Sequence, residues 1–336
     1  MTGVADEVYS SLHHGFKGDL LRPGQSGYQE ACGIWNGMFN RMPGLIARCA
    51  DVQDVQSAVR SASHSGLLTA VRCGGHSLAG FSTCDGGLVI DLCKMRQVTV
   101  DPDARRAWFA GGCLLGSVDT ATQQAGLVFP SGVVSHTGAS GLVLGGGTGW
   151  LTRRFGLSCD NVEGFSLVTA EGSLVHANAQ ENPDLFWALR GGGGNFGVVT
   201  EFQVKLHPLT SVVLAEGLTA EPGIRPLLEL WRDYMVEAPL DLKWNINLRL
   251  APQTYKVPGE LRGRPVASSS LVWTGDPDAG SSYLERALAM CDADSVTSNV
   301  VSFLNLQTMA DSDFPHGRRY YTKSGYFNYL DNGSID

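Results

Sequence analysis

The chain predicts an α+β protein built in two parts. Three observations carry this. Short apolar runs alternate with amphipathic stretches between Pro43 and Pro208, three glycine-dense loops fall inside that region, and the sequence beyond Pro208 has long mixed runs without glycine clusters. The expected division is 1–40 as an N-terminal segment, 41–208 as a ligand-cradling α/β region, and 209–336 as an antiparallel sheet with helices on one face.

Each element has a local reason. PGLIARCA reads as a strand, and DVQDVQSAVRSASHSG as a helix capped by Asp51, with Val52, Val55 and Val59 on one face. LLTAV and GGLVIDL are short apolar strands, and VTVDPDARRAWFAGG is a hairpin turning at Asp101-Pro102-Asp103. LLGSVDTATQQAG is helical with Gly126 at its C-cap, and the small residues of 129–149 read as a loop. FSLVTAEGSLVHAN turns at Glu171-Gly172, and NPDLFWALR starts with Asn182 as N-cap and Pro183 in the first turn.

VVTEFQVKL alternates strictly, setting Phe202, Val204 and Leu206 against Glu201, Gln203 and Lys205. In the second part LKWNINLRL and SSLVWTGD read as strands with one covered face, and IRPLLELWRDYM as a helix. At the end Ser334 is expected to cap a helix that does not continue, which reads as a truncated protein.

Composition narrows the function. Of 336 residues 42 are glycine, about an eighth of the chain against a usual share of roughly 7%. A net charge of −8 and the lack of a basic stripe exclude a sequence-independent grip on nucleic acid. No apolar run reaches the length of a membrane span, and the N-terminus has no signal-like pattern, so a cytoplasmic protein is expected. The eight cysteines (Cys32, Cys49, Cys73, Cys84, Cys93, Cys113, Cys159 and Cys291) are scattered without a CxxC pair, which points to reduced thiols and no metal centre.

The glycine loops are RCGGHSLAG, SGLVLGGGTGW and RGGGGNFGVVT. GGGNFG satisfies G-x-G-x-x-G, but a helix precedes it and a strand follows, the reverse of the dinucleotide-binding context, and no P-loop string exists. Such loops still bind a diphosphate through concave rows of backbone N–H groups, which a Cβ would obstruct. The alternative is tight turns and close packing. Within the first loop His76 offers a neutral imidazole able to attack an electrophilic carbon of a bound cofactor; the alternative is an ordinary hydrogen-bonding loop residue.

Taken together, RCGGHSLAG, TGASGLVLGGGTGWLTRRFGLSCDNV and NPDLFWALRGGGGNFGVVTEFQVKLHP resemble the flavin domain of the berberine-bridge-enzyme-like oxidoreductases. These are covalent flavoproteins related to vanillyl-alcohol oxidase and p-cresol methylhydroxylase. The resemblance runs from about Arg41 to Pro208 and implies a PCMH-type FAD-binding domain of two α/β subdomains, followed by a substrate domain. It implies that His76 is joined to the 8α-methyl carbon of FAD, and that Arg72, Cys73, Gly74, Gly75, Ser77 and Gly80 wrap the diphosphate with it. Thr137, Gly138, Ser140, Gly141, Gly145 and Gly149 would line the isoalloxazine and ribityl side, with Asn161, Gly197 and Val199 near the adenine half.

Val134 stands where many members carry a second, cysteine tether, so a single covalent link is expected. FPHGRRYYTKSGYF resembles the strand of the substrate domain beside the flavin; as a strand it would put Tyr321 and Lys323 on one face as catalytic candidates, or simply form a polar sheet face. The implied activity is FAD-dependent oxidation of an alcohol or related C–H substrate (sugar, alkaloid or polyketide-like) by hydride transfer, with dioxygen as acceptor. The base is expected in a C-terminal segment beyond this chain. The alternative is a truncated, non-catalytic flavin-binding or substrate-binding protein; a nicotinamide dehydrogenase is disfavoured by the inverted glycine context.

Overall fold

The computed structural model describes residues 2–254, 257–290, 293 and 295–335. They form two units: Met1–Thr152, Gly156–Pro208 and Gln307–Thr322 in the first, and Arg153–Phe155, Leu209–Leu306 and Lys323–Asp336 in the second.

The first unit holds two sheets. In the smaller, strands Leu45–Arg48, Leu88–Asp91 and Thr69–Arg72 run parallel in that spatial order, and Asp19–Leu21 adds an antiparallel edge. Parallel strands need a crossover, and the helix Val52–Ser65 carries the chain from Leu45–Arg48 to Thr69–Arg72 on the far side of Leu88–Asp91, buried through Val55, Ala58 and Ala62 against Leu45, Ala47 and Ile90. Its Asp51 side chain accepts from the Asp54 amide at 3.0 Å, the cap its position predicted. Strand Thr69–Arg72 therefore ends at the mouth of the first glycine loop.

The larger sheet is antiparallel. Val98–Asp101, Arg106–Ala110, Val198–Lys205, Val162–Val168 and Leu174–Asn178 lie side by side in that order. Phe202, Val204 and Leu206 are at most 1% exposed and join Phe109, Phe129 and Phe165 in its core, as the alternation of VVTEFQVKL requires. The Phe109 and Phe202 rings stack at 4.9 Å.

Several local expectations are corrected. The helix Leu115–Gln123 is capped at Gln124, and Gly126 takes φ +68° two residues later, because Ala125 first closes a turn onto Thr122. Residues 129–149 are not all loop: Ala139–Leu144 form a helix, since ASGLVL retains apolar Val143 and Leu144 for the core. Asn182 precedes its helix in the left-handed region, but its side chain donates to the His176 carbonyl instead of capping. Ser334 lies inside the terminal helix Asn332–Ile335, whose first turn is capped by the Asp331 carboxylate on the Ser334 amide at 2.7 Å. FPHGRRYYTKSGYF forms no strand: a 3-10 turn precedes it, and residues 318–331 are irregular.

In the second unit Leu242–Leu250, Pro265–Trp273, Ser211–Ala220 and Ser295–Ser302 form an antiparallel sheet in that order. Helices Ile224–Glu237 and Pro277–Ala289 pack on it through Leu227, Leu284, Ala287 and Leu288, meeting Val213, Ala215, Trp244 and Leu271. Register pairs Val213 with Trp273 and Leu271 with both Ala215 and Trp244, so these apolar side chains share one face.

Candidate functional site

All three glycine clusters meet in the first unit. The first touches the approach to the second backbone to backbone, two residues ahead of Ser140: a Cβ on Gly74 would lie 2.5 Å from the Gly138 nitrogen, and one on Gly138 would collide with the Gly74 nitrogen. The second touches the third through the Gly193 amide, which donates to the Leu144 carbonyl at 2.9 Å. The glycines thus sort by cause. Gly80 is pressed against the Phe39 ring, Gly149 against the Ser131 carbonyl and Gly197 against the Val168 carbonyl, so protein packing alone requires them. Gly141 and Gly145 differ: both are exposed, Gly141 has no neighbour within 4 Å of a built Cβ, and Gly145 has only ordinary contacts.

The predicted polar residues are mostly committed to the protein. Arg72 is buried, pairs with Asp91 at 2.7 Å and donates to the Ala31 carbonyl at 2.6 Å, and its own carbonyl accepts the Leu92 amide at 2.8 Å, so it is held by the protein. Cys73 donates to the Cys113 carbonyl at 3.2 Å, and burial pushes its thiol pKa up. Ser140 Oγ donates to the Gly111 carbonyl at 2.5 Å, Ser77 Oγ accepts the Phe81 amide at 2.9 Å, and the Thr137 carbonyl accepts the Leu115 amide at 2.9 Å. Asn161 is engaged by the Leu157 carbonyl and the His207 ring, and Val199 is a buried strand residue in the core. Gly75 takes φ +68° directly before His76.

His76 differs from those committed side chains, and its neighbour His136 shares the difference, with a buried and unpartnered Nδ1. The His76 Nε2 is buried and has no hydrogen-bond partner. An unmet buried polar atom costs about 1–3 kcal/mol, and ring contacts offset it. The imidazole stacks on Trp35 at 4.0 Å and 18°, and the other face of the indole stacks on Tyr320 at 3.8 Å and 8°. Such pairs contribute about 0.5–1.5 kcal/mol each beyond their buried area. His136 and His316 complete the cluster, with centroids 5.1 and 6.3 Å from His76 and 5.0 Å from each other. Burial first, then repulsion from His136 and His316, lowers the His76 pKa to about 4, so the ring is neutral near pH 7. Burial also lowers that of His316.

The 307–322 segment is also latched to the same unit through Gln307 and Asp311. Gln307 donates to Asp119 Oδ2 at 3.0 Å and to the Gly132 carbonyl at 2.9 Å, and Asp311 accepts the Ser135 amide and hydroxyl at 2.8 and 2.6 Å. Burial pushes the Asp119 carboxyl up to about 7, moderated by hydrogen bonds from Gln307 and Ser131.

Tyr321 is 75% exposed, in chain without strand pairing, so the alternation that set it beside Lys323 has no strand to act on. Among the described residues no group of His, Cys, Asp or Glu is placed to hold a metal, and no helix is long and apolar enough to cross a membrane. Seven cysteines are free thiols; Cys291 lies outside the described residues.

The sequence reading missed Trp35, Asn36, His136, His316 and Tyr320. His136 carried a signal, since it directly precedes the predicted site residue Thr137. The others are brought in by tertiary contacts between segments distant in the chain, such as Trp35 on His76 and Tyr320 on Trp35, for which no local pattern exists.

Comparison with known proteins agrees with the glycine framework. The FAD binding domain family matches residues 43–178. A curated (R)-6-hydroxynicotine oxidase of Paenarthrobacter nicotinovorans is 41% identical over 214 residues, covering 64% of this chain and 47% of that protein, so the chain matches about half of its length. An FAD-linked oxidoreductase of Dictyostelium discoideum is 30% identical over 323 residues, 96% of this chain and 68% of its own. The solved structure of a berberine-bridge-enzyme-like protein of Physcomitrella patens superposes with a TM-score of 0.80 at 26% identity, over 92% of this chain and 65% of that one.

Proposed function

The chain belongs to the FAD-linked oxidoreductases, and from that premise we propose that it holds one FAD on its glycine loops, bonded to His76, and oxidises a small alcohol or related C–H substrate. The observation that carries the covalent reading is His76: a half-buried imidazole whose Nε2 is itself buried and unpartnered, neutral near pH 7, at the mouth of a loop whose Arg72, Cys73 and Ser77 side chains are bound elsewhere. A neutral ring nitrogen has the lone pair that attack on carbon requires. His76 would hold the group through its 8α carbon, giving up its ring proton in doing so, and the two-electron oxidation that this link requires would fall to dioxygen.

The residues present fit the group. Gly141 and Gly145 leave open surface that packing does not fill, and the run Gly74-Gly75-His76-Ser77 is of the kind whose backbone cradles a diphosphate. With Val134 at the position of the second tether, the link is single. When bound, the flavin supplies the hydride acceptor; the loops bind it and His76 prevents its loss. The substrate belongs among sugars, alkaloids and polyketide-like alcohols, and dioxygen is the acceptor.

The test is anaerobic mixing of the yellow protein with a panel from those three classes, followed by air. Bleaching by one panel member, then recovery of colour with one peroxide per turnover, is the expected result. Flavin that no member reduces would refute the oxidase reading.

A further inference from the structure

Resting on the covalent reading above, we infer that Trp35 is the positioning residue for His76: its indole fixes the plane of the imidazole for bond formation, with Tyr320 and Asn36 holding the indole in turn. These three residues lie outside the stretch matched by the FAD binding domain family.

His76 needs such a device. It follows two glycines, one at φ +68°, and its Nε2 has no hydrogen bond to set the ring angle. Apart from a hydrogen bond between the ring and the residue's own backbone, orientation falls to ring contacts. One face of the imidazole lies on Trp35, which is 3% exposed and has its own Nε1–H anchored to the Phe314 carbonyl at 2.8 Å. The Trp35 amide donates to the Gly75 carbonyl at 3.0 Å, which ties the indole to the loop it braces. Tyr320 closes the outer face of the indole, and its hydroxyl donates to the Pro315 carbonyl at 2.6 Å.

Asn36 is the fastening. Fully buried, it donates from Nδ2 to the Leu78 and Tyr320 carbonyls at 3.0 and 2.9 Å, and its Oδ1 accepts the Tyr320 amide at 3.0 Å. One amide thus joins the glycine loop, the N-terminal segment and the 314–320 stretch. That use of every donor and acceptor keeps the three-ring stack in register.

Nucleophilic attack is sensitive to such placement; a shift on the order of 1 Å costs about 100-fold. The experiment loads apoprotein from a riboflavin-starved host with FAD and follows the covalent fraction by denaturing intact mass, with unlinked flavin measured in the acid supernatant. Trp35→Ala is expected to bind FAD yet link it about 100-fold more slowly, while Trp35→Phe, which keeps a stacking ring, stays within several-fold of wild type. Linking at the wild-type rate in Trp35→Ala would overturn the inference. If Trp35→Ala does not fold, Tyr320→Ala replaces it, with a smaller slowing expected and an unchanged rate counting against.

A second readout needs no covalent bond. In apoprotein, diethyl pyrocarbonate should modify His76 faster in Trp35→Ala than in wild type, read by peptide mapping; equal rates overturn the positioning role. Wild type that binds FAD but never links it would sink the covalent reading, while the modification rates still decide the role of Trp35.

Discussion

Two pairs of glycines in the first unit look alike in sequence and differ in physics. Gly74 and Gly138 face each other so closely that neither tolerates a Cβ, whereas Gly141 and Gly145 face open surface. Packing requires the first pair; it does not require the second, which the proposed function assigns to the bound flavin. The same division separates the polar groups. Arg72, Ser140 and Asn161 are consumed by internal partners, while His76 keeps an unpartnered nitrogen. Glycine density alone therefore marks a site less well than glycine that packing does not require.

The largest effect that tests this division is all-or-none. His76→Ala is expected to release every flavin into the supernatant on acid precipitation, whereas wild type keeps its colour in the pellet. Colour retained by the variant would place the link elsewhere.

Next comes a group on the protein's side of the division. Asp119 has a folded-state pKa near 7, above the ordinary carboxylate value of 3.8. Its contribution to stability is full below about pH 4 and is lost as pH rises through 7. Asp119→Asn should flatten that decline, so the stability difference moves toward the variant by a few kcal/mol between pH 4 and 8 in urea titrations. His76 acts in the opposite sense, since its pKa is lowered to about 4. Its contribution is present above about pH 6.5 and lost as pH falls toward 4. A parallel pair of curves for wild type and Asp119→Asn would contradict the assignment.

Gly138→Ala is expected to cost about 1–3 kcal/mol by overpacking, seen as a fall in the melting temperature of apoprotein as well as holoprotein. Gly141→Ala should do the reverse. In a helix interior that change gains about 0.5–1 kcal/mol, so the apoprotein should melt slightly higher while retaining less flavin. A Gly141→Ala protein that binds flavin as well as wild type would erase the distinction between the two pairs.

Much of the fold was legible because its signals are local. Asp51 caps its helix, Gly172 turns its hairpin at φ +77°, and Phe202, Val204 and Leu206 alternate into the core. The errors were of two kinds. Boundaries slipped where competing caps stand close together, as with Ser334 against Asp331. The strand at FPHGRRYYTKSGYF failed because alternation names a strand only if a partner edge exists, and residues 318–331 have none. Of the candidate site, the glycine loops were visible in composition, the role given to His76 came with the family resemblance, and the rings packed around His76 had no signal in the chain. Trp35 and Tyr320 meet across 285 residues, a contact created by the tertiary fold alone.

The central claim is that a flavin is bonded to this chain at His76. Denaturing mass spectrometry of the purified full chain, with mapping of the modified peptide, tests it most directly. The expected result is a principal species heavier than the polypeptide by one FAD, with the added mass on the peptide that contains His76. Protein that is yellow before denaturation but shows only the bare polypeptide mass would contradict it.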